Sequence, residues 1–277
     1  MDQPAPQTSS AYISNPFKLL GPSATAMGVN ISTLVALLAL QLAPWIPLLI
    51  AIGVGVAGRS NPILIGIAFT LGLASVAAMI VIGLISIPTF AMILLASVDG
   101  QKVGLKETLV KARPYIGRSL GIVILSALAV LGGLILFIVP GIIFAAWFML
   151  AEYVLIKENL GVVASMKRSR QLVKGRVWEI LGVMAIPSVA SLIPFVGSIL
   201  NFALSIVLVP AMAIRYNQLI TVPAEKRPGV HWSNKVLTIA PIVVFTLIIV
   251  MVAAFASLAH TNGIDYQDNN SSTYYNY

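Results

Sequence analysis

Cysteine is absent from the 277 residues, which excludes disulfides, thiol nucleophiles and thiolate metal sites together. Histidine is nearly absent too. His231 and His260 are the only two, and neither has a second ligand at metal-binding spacing. Charge is scarce: charged residues make up 9% of the chain, with 9 acids against 17 Lys and Arg. No phosphate-cradling loop, nucleophile elbow or carboxylate pair spaced for acid–base chemistry occurs. The small-residue run "GVGVAG" at Gly53–Gly58 ends an apolar segment and suits helix packing rather than a dinucleotide turn. These absences lead to the expectation of a protein that is not an enzyme and carries no cofactor or metal.

What fills the space is apolar. Hydrophobic residues make up 58% of the sequence and the mean hydropathy is +0.96. Long apolar stretches recur throughout, which indicates an all-α integral membrane protein with about six to seven transmembrane helices. The apolar segments are Val29–Ala57, Pro62–Ser97, Leu120–Val139, Ile142–Ile156, Val177–Ile193, Ser198–Ile220 and Val236–Ala259. Each is expected to be helical, because hydrocarbon offers no partner for backbone polar groups. The second would extend about 54 Å at ~1.5 Å per residue, beyond a ~30 Å hydrocarbon core. It either breaks near Pro88 or projects from the membrane. The fourth, about 22 Å by the same rise, is short enough to be re-entrant or strongly perturbed. Residues 1–28 are polar with one basic residue, Lys18; they lack the form of a cleaved signal, so the first apolar segment is expected to be retained. Residues 29–259 form the membrane domain. The polar tail 260–277 is expected to be disordered; "NNSS" within it contains formal glycosylation triplets at Asn269 and Asn270.

"VPGI" (Val139–Ile142) separates the third and fourth segments, and "IPFVG" (Ile193–Gly197) the fifth and sixth. Pro140 and Gly141 are therefore predicted to form a tight turn at one membrane face. With the N-terminus cytoplasmic, every basic residue of the 17 except Arg59 falls on the inner side. The positive-inside rule thus favours N-in and C-out.

The densest charge lies in "ASMKRSRQLVKGRVWE" (164–179), a cytoplasmic connection with helical periodicity. Val162, Val163, Met166, Val173 and Val177 share one face, while Lys167, Arg168, Gln171, Lys174 and Arg176 lie elsewhere. Arg170 stands at the edge of the apolar face, positioned to snorkel or meet a carboxylate. Basic amphipathic helices between spans are expected to contact anionic headgroups on the inner leaflet. No aromatic interleaving or nucleic-acid module accompanies the charge, so nucleic acid is not expected. "LKETLVKARPYIGRSLGIVIL" (Leu105–Leu125) has the same design, placing Lys111, Arg113 and Arg118 at the same surface. Lys111 and Arg113 precede Arg168 and Arg170 by 57 residues, and Gly117–Arg118 precede Gly175–Arg176 by 58. The spacing predicts an internal duplication with units 102–158 and 160–222, both entering from the same side.

"VPGIIFAAWFMLAEYVLIKENLGVVASMKRSRQLVKGRVWEILGVM" (Val139–Met184) resembles a pattern in the membrane domain attached to some glycerophosphoryl diester phosphodiesterases. It also resembles stand-alone bacterial integral membrane proteins of the same type. Pro140–Gly141, Glu152 or Glu158, and Ser169, Leu172 and Gly175 occupy the pattern's turn, acid and "Ser-x-x-Leu-x-x-Gly" positions. The resemblance implies a protein of a bacterial cell membrane and says nothing of activity; the catalytic barrel of those enzymes has no counterpart here.

Ionisable residues inside apolar segments point to function by default. Glu152 and Arg215 each lie about one turn inside a predicted cytoplasmic end and are read as a charge pair; Glu179 opens the fifth segment. They either snorkel and pair at the interface, or Glu152 is a coupled acid on a transport route. Gln41, Ser126 and Asn201 are candidate helix-gluing groups, and Gly117-x-x-x-Gly121 a candidate helix contact. Two functions remain open: a non-enzymatic protein organising lipids or partner proteins, as a monomer or homo-oligomer, or a transporter of a lipid or small solute.

Overall fold

The computed structural model describes residues 12–191 and 196–268, and the described residues form helices and turns with no strand among them. The helices in chain order are α1 Leu20–Val29, α2 Ile31–Leu42, α3 Trp45–Ala57, α4 Pro62–Val98, α5 Leu105–Ala112, α6 Ile116–Leu136, α7 Ile138–Phe148, α8 Ala151–Glu158, α9 Val162–Val173, α10 Val177–Ala190, α11 Gly197–Val207, α12 Ala211–Thr221 and α13 Trp232–Asp268. Among the described residues four stretches are long and apolar enough to cross a membrane: Ile31–Ala57, Pro62–Val98, Leu105–Leu136 and Ile138–Glu158. The pair α11–α12, bent by 42°, makes a fifth if it counts as one span. The fifth apolar segment of the sequence folds as the shorter α10, and the seventh lies on α13.

Several boundaries differ from the sequence reading. Helix begins within the polar N-terminal segment, because "PFKLLGPSATAMGV" places Pro16 at the start of a 3-10 turn capped by the Asn15 side chain, which leads directly into α1. Pro in a first turn is tolerated, since its missing N–H has no helical partner there anyway. At the other end α13 runs on to Asp268, into the stretch assigned to a disordered tail. The "IPFVG" turn has residues 193–195 outside the described residues.

The turn expected at Pro140–Gly141 falls earlier. Phe137 is the extended residue between helices (φ −163°, ψ 152°), and Pro140 and Gly141 lie in the first turn of α7. That position again costs proline no hydrogen bond. The glycine is needed for packing. A Cβ on Gly133 would sit 2.8 Å from the Gly141 backbone, and one on Gly141 2.5 Å from Leu134. The α6–α7 hairpin therefore closes backbone on backbone.

α4 resolves the length problem without a break: it is continuous through Pro88. Its first half exposes Ile63, Phe69, Ile80 and Val81, whereas Ala91, Ile93, Leu94 and Leu95 are buried in protein. The apolar first half has the length for lipid, and the second half is the centre of the bundle. Ala91, Ile93, Leu94 and Leu95 share one core with Leu19, Leu150, Val154, Val173, Ile180, Tyr216 and Leu219. Asn30, buried between α1 and α2, fastens the α4–α5 loop to this core. Its Nδ2 donates to Ser97 Oγ (3.0 Å) and the Gln101 carbonyl (2.7 Å), and its Oδ1 accepts from the Val103 N–H (2.9 Å).

Candidate functional site

α9 carries the charge-dense sequence, and local sequence explains its limits. Asn159 adopts the left-handed conformation that ends α8 (φ 48°), and Gly175 does the same after α9 (φ 80°). Asn and Gly tolerate that region better than other residues. Because α9 stops at Val173, Val177 belongs to the next helix and not to the apolar face of this one. The face that meets the bundle is Ser165, Met166, Ser169, Leu172 and Val173, all buried, while Val163 is exposed. Ser169 Oγ donates to the Trp147 carbonyl of α7 at 2.6 Å. α9 is thus held by packing and hydrogen bonding to its own bundle.

The eight basic residues expected at headgroups separate into two groups. Arg168 pairs with Glu158 (3.2 Å), Arg176 with Glu179 (2.8 Å) and Lys111 with Glu107 (2.7 Å), the last an exposed pair worth little. Arg118 donates to Asn159 Oδ1 at 3.0 Å. Arg170 meets no carboxylate among the described residues; its guanidinium lies over the Trp147 ring, 4.3 Å from the centroid. Lys167, Lys174 and Arg113 are exposed, with no ion pair among the described residues. Further polar contacts gather the same end of the bundle. Lys157 pairs with Asp99 (2.5 Å), Asn217 donates to that carboxylate (3.0 Å), and Tyr216 donates to Glu158 (3.3 Å).

The charge pair read from sequence is not formed. Glu152 instead accepts a hydrogen bond from Ser119 of α6 (2.5 Å), and its Oε2 has no hydrogen-bond partner among the described residues. Arg215 meets Glu179, with Nη1 3.4 Å from Oε2 and both side chains fully buried. The reason lies in α10. Glu179 sits in its first turn, where the helix dipole favours an anion, and α12 packs against the same end of α10.

Around that pair closes the N-terminal segment, whose role sequence reasoning missed. Tyr12 donates its hydroxyl to Glu179 Oε2, and its ring lies beneath two guanidinium groups, Arg176 at 4.7 Å and Arg215 at 5.5 Å. Arg215 donates to the Ile13 carbonyl (2.5 Å), and Asn234 of α13 donates to the Ser14 carbonyl (2.8 Å). Burial pushes the Tyr12 hydroxyl above the ordinary tyrosine range, with Arg215 pulling the other way; it stays a donor at neutral pH. Only an aromatic residue fifteen or so positions before the first apolar run hinted at this, a signal with no local pattern to mark it. Glu179 thus holds two guanidiniums and a phenol, and the cluster ties residues 12–14 to α10, α12 and α13. Among the described residues no three His, Asp or Glu converge as metal ligands.

No family model, curated protein or solved structure matches the chain.

Proposed function

We propose that this is a non-enzymatic multi-span membrane protein, of the type its Val139–Met184 stretch resembles, that organises anionic lipid at the cytoplasmic face of a bacterial cell membrane. One observation carries the reading. α9 is fixed to the bundle by its buried face, and Lys167 on it, Lys174 just after it and Arg113 just after α5 are exposed with no ion pair among the described residues. Each cation near an anionic leaflet adds attraction on the order of 1 kcal/mol. The order of a short basic helix followed by three further helices recurs in α5–α8 and α9–α12 and supports a duplication of one such unit, although α10 is shorter than α6.

Orientation is tested first, using the chain's lack of cysteine. Cysteines at the exposed positions Ser60 and Phe137 are expected to react with an impermeant reagent from outside, and those at Lys106 and Ala224 only after the membrane is opened. The lipid reading is tested in nanodiscs of mixed phosphatidylcholine and phosphatidylglycerol carrying spin-labelled lipid. The motionally restricted fraction is expected to favour phosphatidylglycerol, and the preference to fall with added salt and in Arg113→Gln/Lys167→Gln/Lys174→Gln. Equal restriction of both lipids refutes the reading.

A further inference from the structure

α6, α7 and α9 together line a groove of about 350 Å³. Its body is apolar: Leu125 and Ala129 from α6, Phe144 and Phe148 from α7. Its rim is cationic, formed by Lys167 and Arg170 of α9. A volume of this size is that of a small-ligand site. The ligand's chemistry follows from how charge is distributed along α9. Arg168 is neutralised by Glu158 and faces away from the groove lining. Lys167 and Arg170, the two cations on the rim, have no carboxylate among the described residues. Arg170 is held in place by stacking on Trp147, itself part of the groove wall. Stacking orients a guanidinium without cancelling its charge, so its N–H edge remains available to a bidentate acceptor such as phosphate. The α6 and α7 walls belong to stretches long and apolar enough to cross a membrane, which suits an acyl chain.

We infer that this groove is a discrete binding site for one anionic phospholipid, with an acyl chain along Leu125, Ala129 and Phe144 and the phosphate between Lys167 and Arg170. The inference rests on the membrane reading above, but it differs from general enrichment at the face: a site saturates, whereas a charged surface does not.

Trp147 gives the site its own reporter. In the variant Trp45→Phe/Trp178→Phe/Trp232→Phe, Trp147 is the sole tryptophan of the 4. The protein is reconstituted in phosphatidylcholine with increasing phosphatidylglycerol, either lipid carrying brominated acyl chains as quencher. Brominated phosphatidylglycerol is expected to quench Trp147 with a phase that saturates at low mole fraction, and brominated phosphatidylcholine only in proportion to its abundance. Ala129→Phe fills the groove and leaves every charge in place; the saturable phase should vanish while the spin-label preference for phosphatidylglycerol persists. Lys167→Gln/Arg170→Gln, on the exposed side of α9, should weaken the same phase at least tenfold. Proportional quenching by both lipids in the parent, or a saturable phase that survives Ala129→Phe, overturns the site. Loss of the spin-label preference in the parent would instead overturn the broader lipid reading, so the two fail separately.

Discussion

Replacing Glu179 by Gln tests the buried cluster where it is most exposed to refutation. Gln keeps the volume and still accepts a hydrogen bond from Tyr12 or Arg176, but the negative charge is gone. Arg215, fully buried, then has no carboxylate, and an uncompensated buried charge costs about 3–5 kcal/mol. The reciprocal change is expected to be milder. In Arg215→Gln, Glu179 keeps Arg176 at 2.8 Å and the Tyr12 hydroxyl. What is lost is the looser 3.4 Å contact and the donor to the Ile13 carbonyl, about 1–3 kcal/mol for an unmade buried hydrogen bond. The double variant strands neither partner, because Arg176 is partly exposed and retains the Pro228 carbonyl at 3.0 Å. It should therefore cost less than the sum of the singles, by roughly 1–3 kcal/mol of coupling. The measurement is equilibrium unfolding in mixed micelles of rising dodecyl sulfate fraction, read by tryptophan fluorescence. Glu152→Gln combined with Arg215→Gln serves as the comparison, and those two should add because they share no contact. Additivity of Glu179→Gln with Arg215→Gln, or coupling of Arg215 to Glu152, would refute the assignment of partners.

Two other perturbations address the scaffold. Gly133→Ala places a Cβ 2.8 Å from the Gly141 backbone and should cost about 1–3 kcal/mol as overpacking in the same unfolding assay, whereas Gly53→Ala, with open space around it, should be near neutral; equal effects would show that the α6–α7 hairpin does not close as described. Asn30→Ala removes three hydrogen bonds to Ser97, Gln101 and Val103 and should accelerate amide exchange in the Gln101–Gly104 loop at least tenfold, while exchange in α6 stays unchanged; an unchanged loop would mean Asn30 does not fasten it.

Some of this was legible in the sequence because the physics is local. Apolar length fixes which stretches can cross a membrane, and α4 runs within one residue of the segment Pro62–Ser97. Periodicity from Val162 to Val177 indicated a helix and put Met166 and Val173 on its inner face, as found, but also Val163, which is exposed. It erred where a single residue interrupted the pattern: Gly175 at φ 80° ends α9 before Val177. Punctuation was likewise misplaced at Pro140–Gly141. Proline tolerates a helix's first turn as well as a bend, and the packing that selects between them involves Gly133, seven residues upstream. Charge pairing was the least legible feature. Glu152 and Glu179 look equivalent as partners for Arg215, and the choice is set by the approach of α6, α10 and α12, which no spacing rule encodes. Tyr12 lay beyond reach for the same reason, since its partner stands 167 residues away.

How α9 is held bears on what its cations can do. A basic helix that folded only on meeting lipid would spend part of the electrostatic attraction on ordering its own backbone, a cost of roughly 1–2 kcal/mol per residue. Here Ser165, Met166, Ser169, Leu172 and Val173 are buried against the bundle, and that order comes from intramolecular packing. Arg170 is further restrained by the Trp147 ring. The headgroup contacts of Lys167 and Arg170 therefore need not organise the helix, so a pair of cations suffices where a free peptide would need many. The same logic separates the roles of neighbouring residues. Arg168 and Arg176 contribute their charge to internal carboxylates and support the scaffold, while Lys167 and Arg170 keep theirs for what enters the groove. Neutralising Arg168 should consequently loosen α9 from Glu158 without removing saturable quenching of Trp147, and neutralising Arg170 should do the reverse.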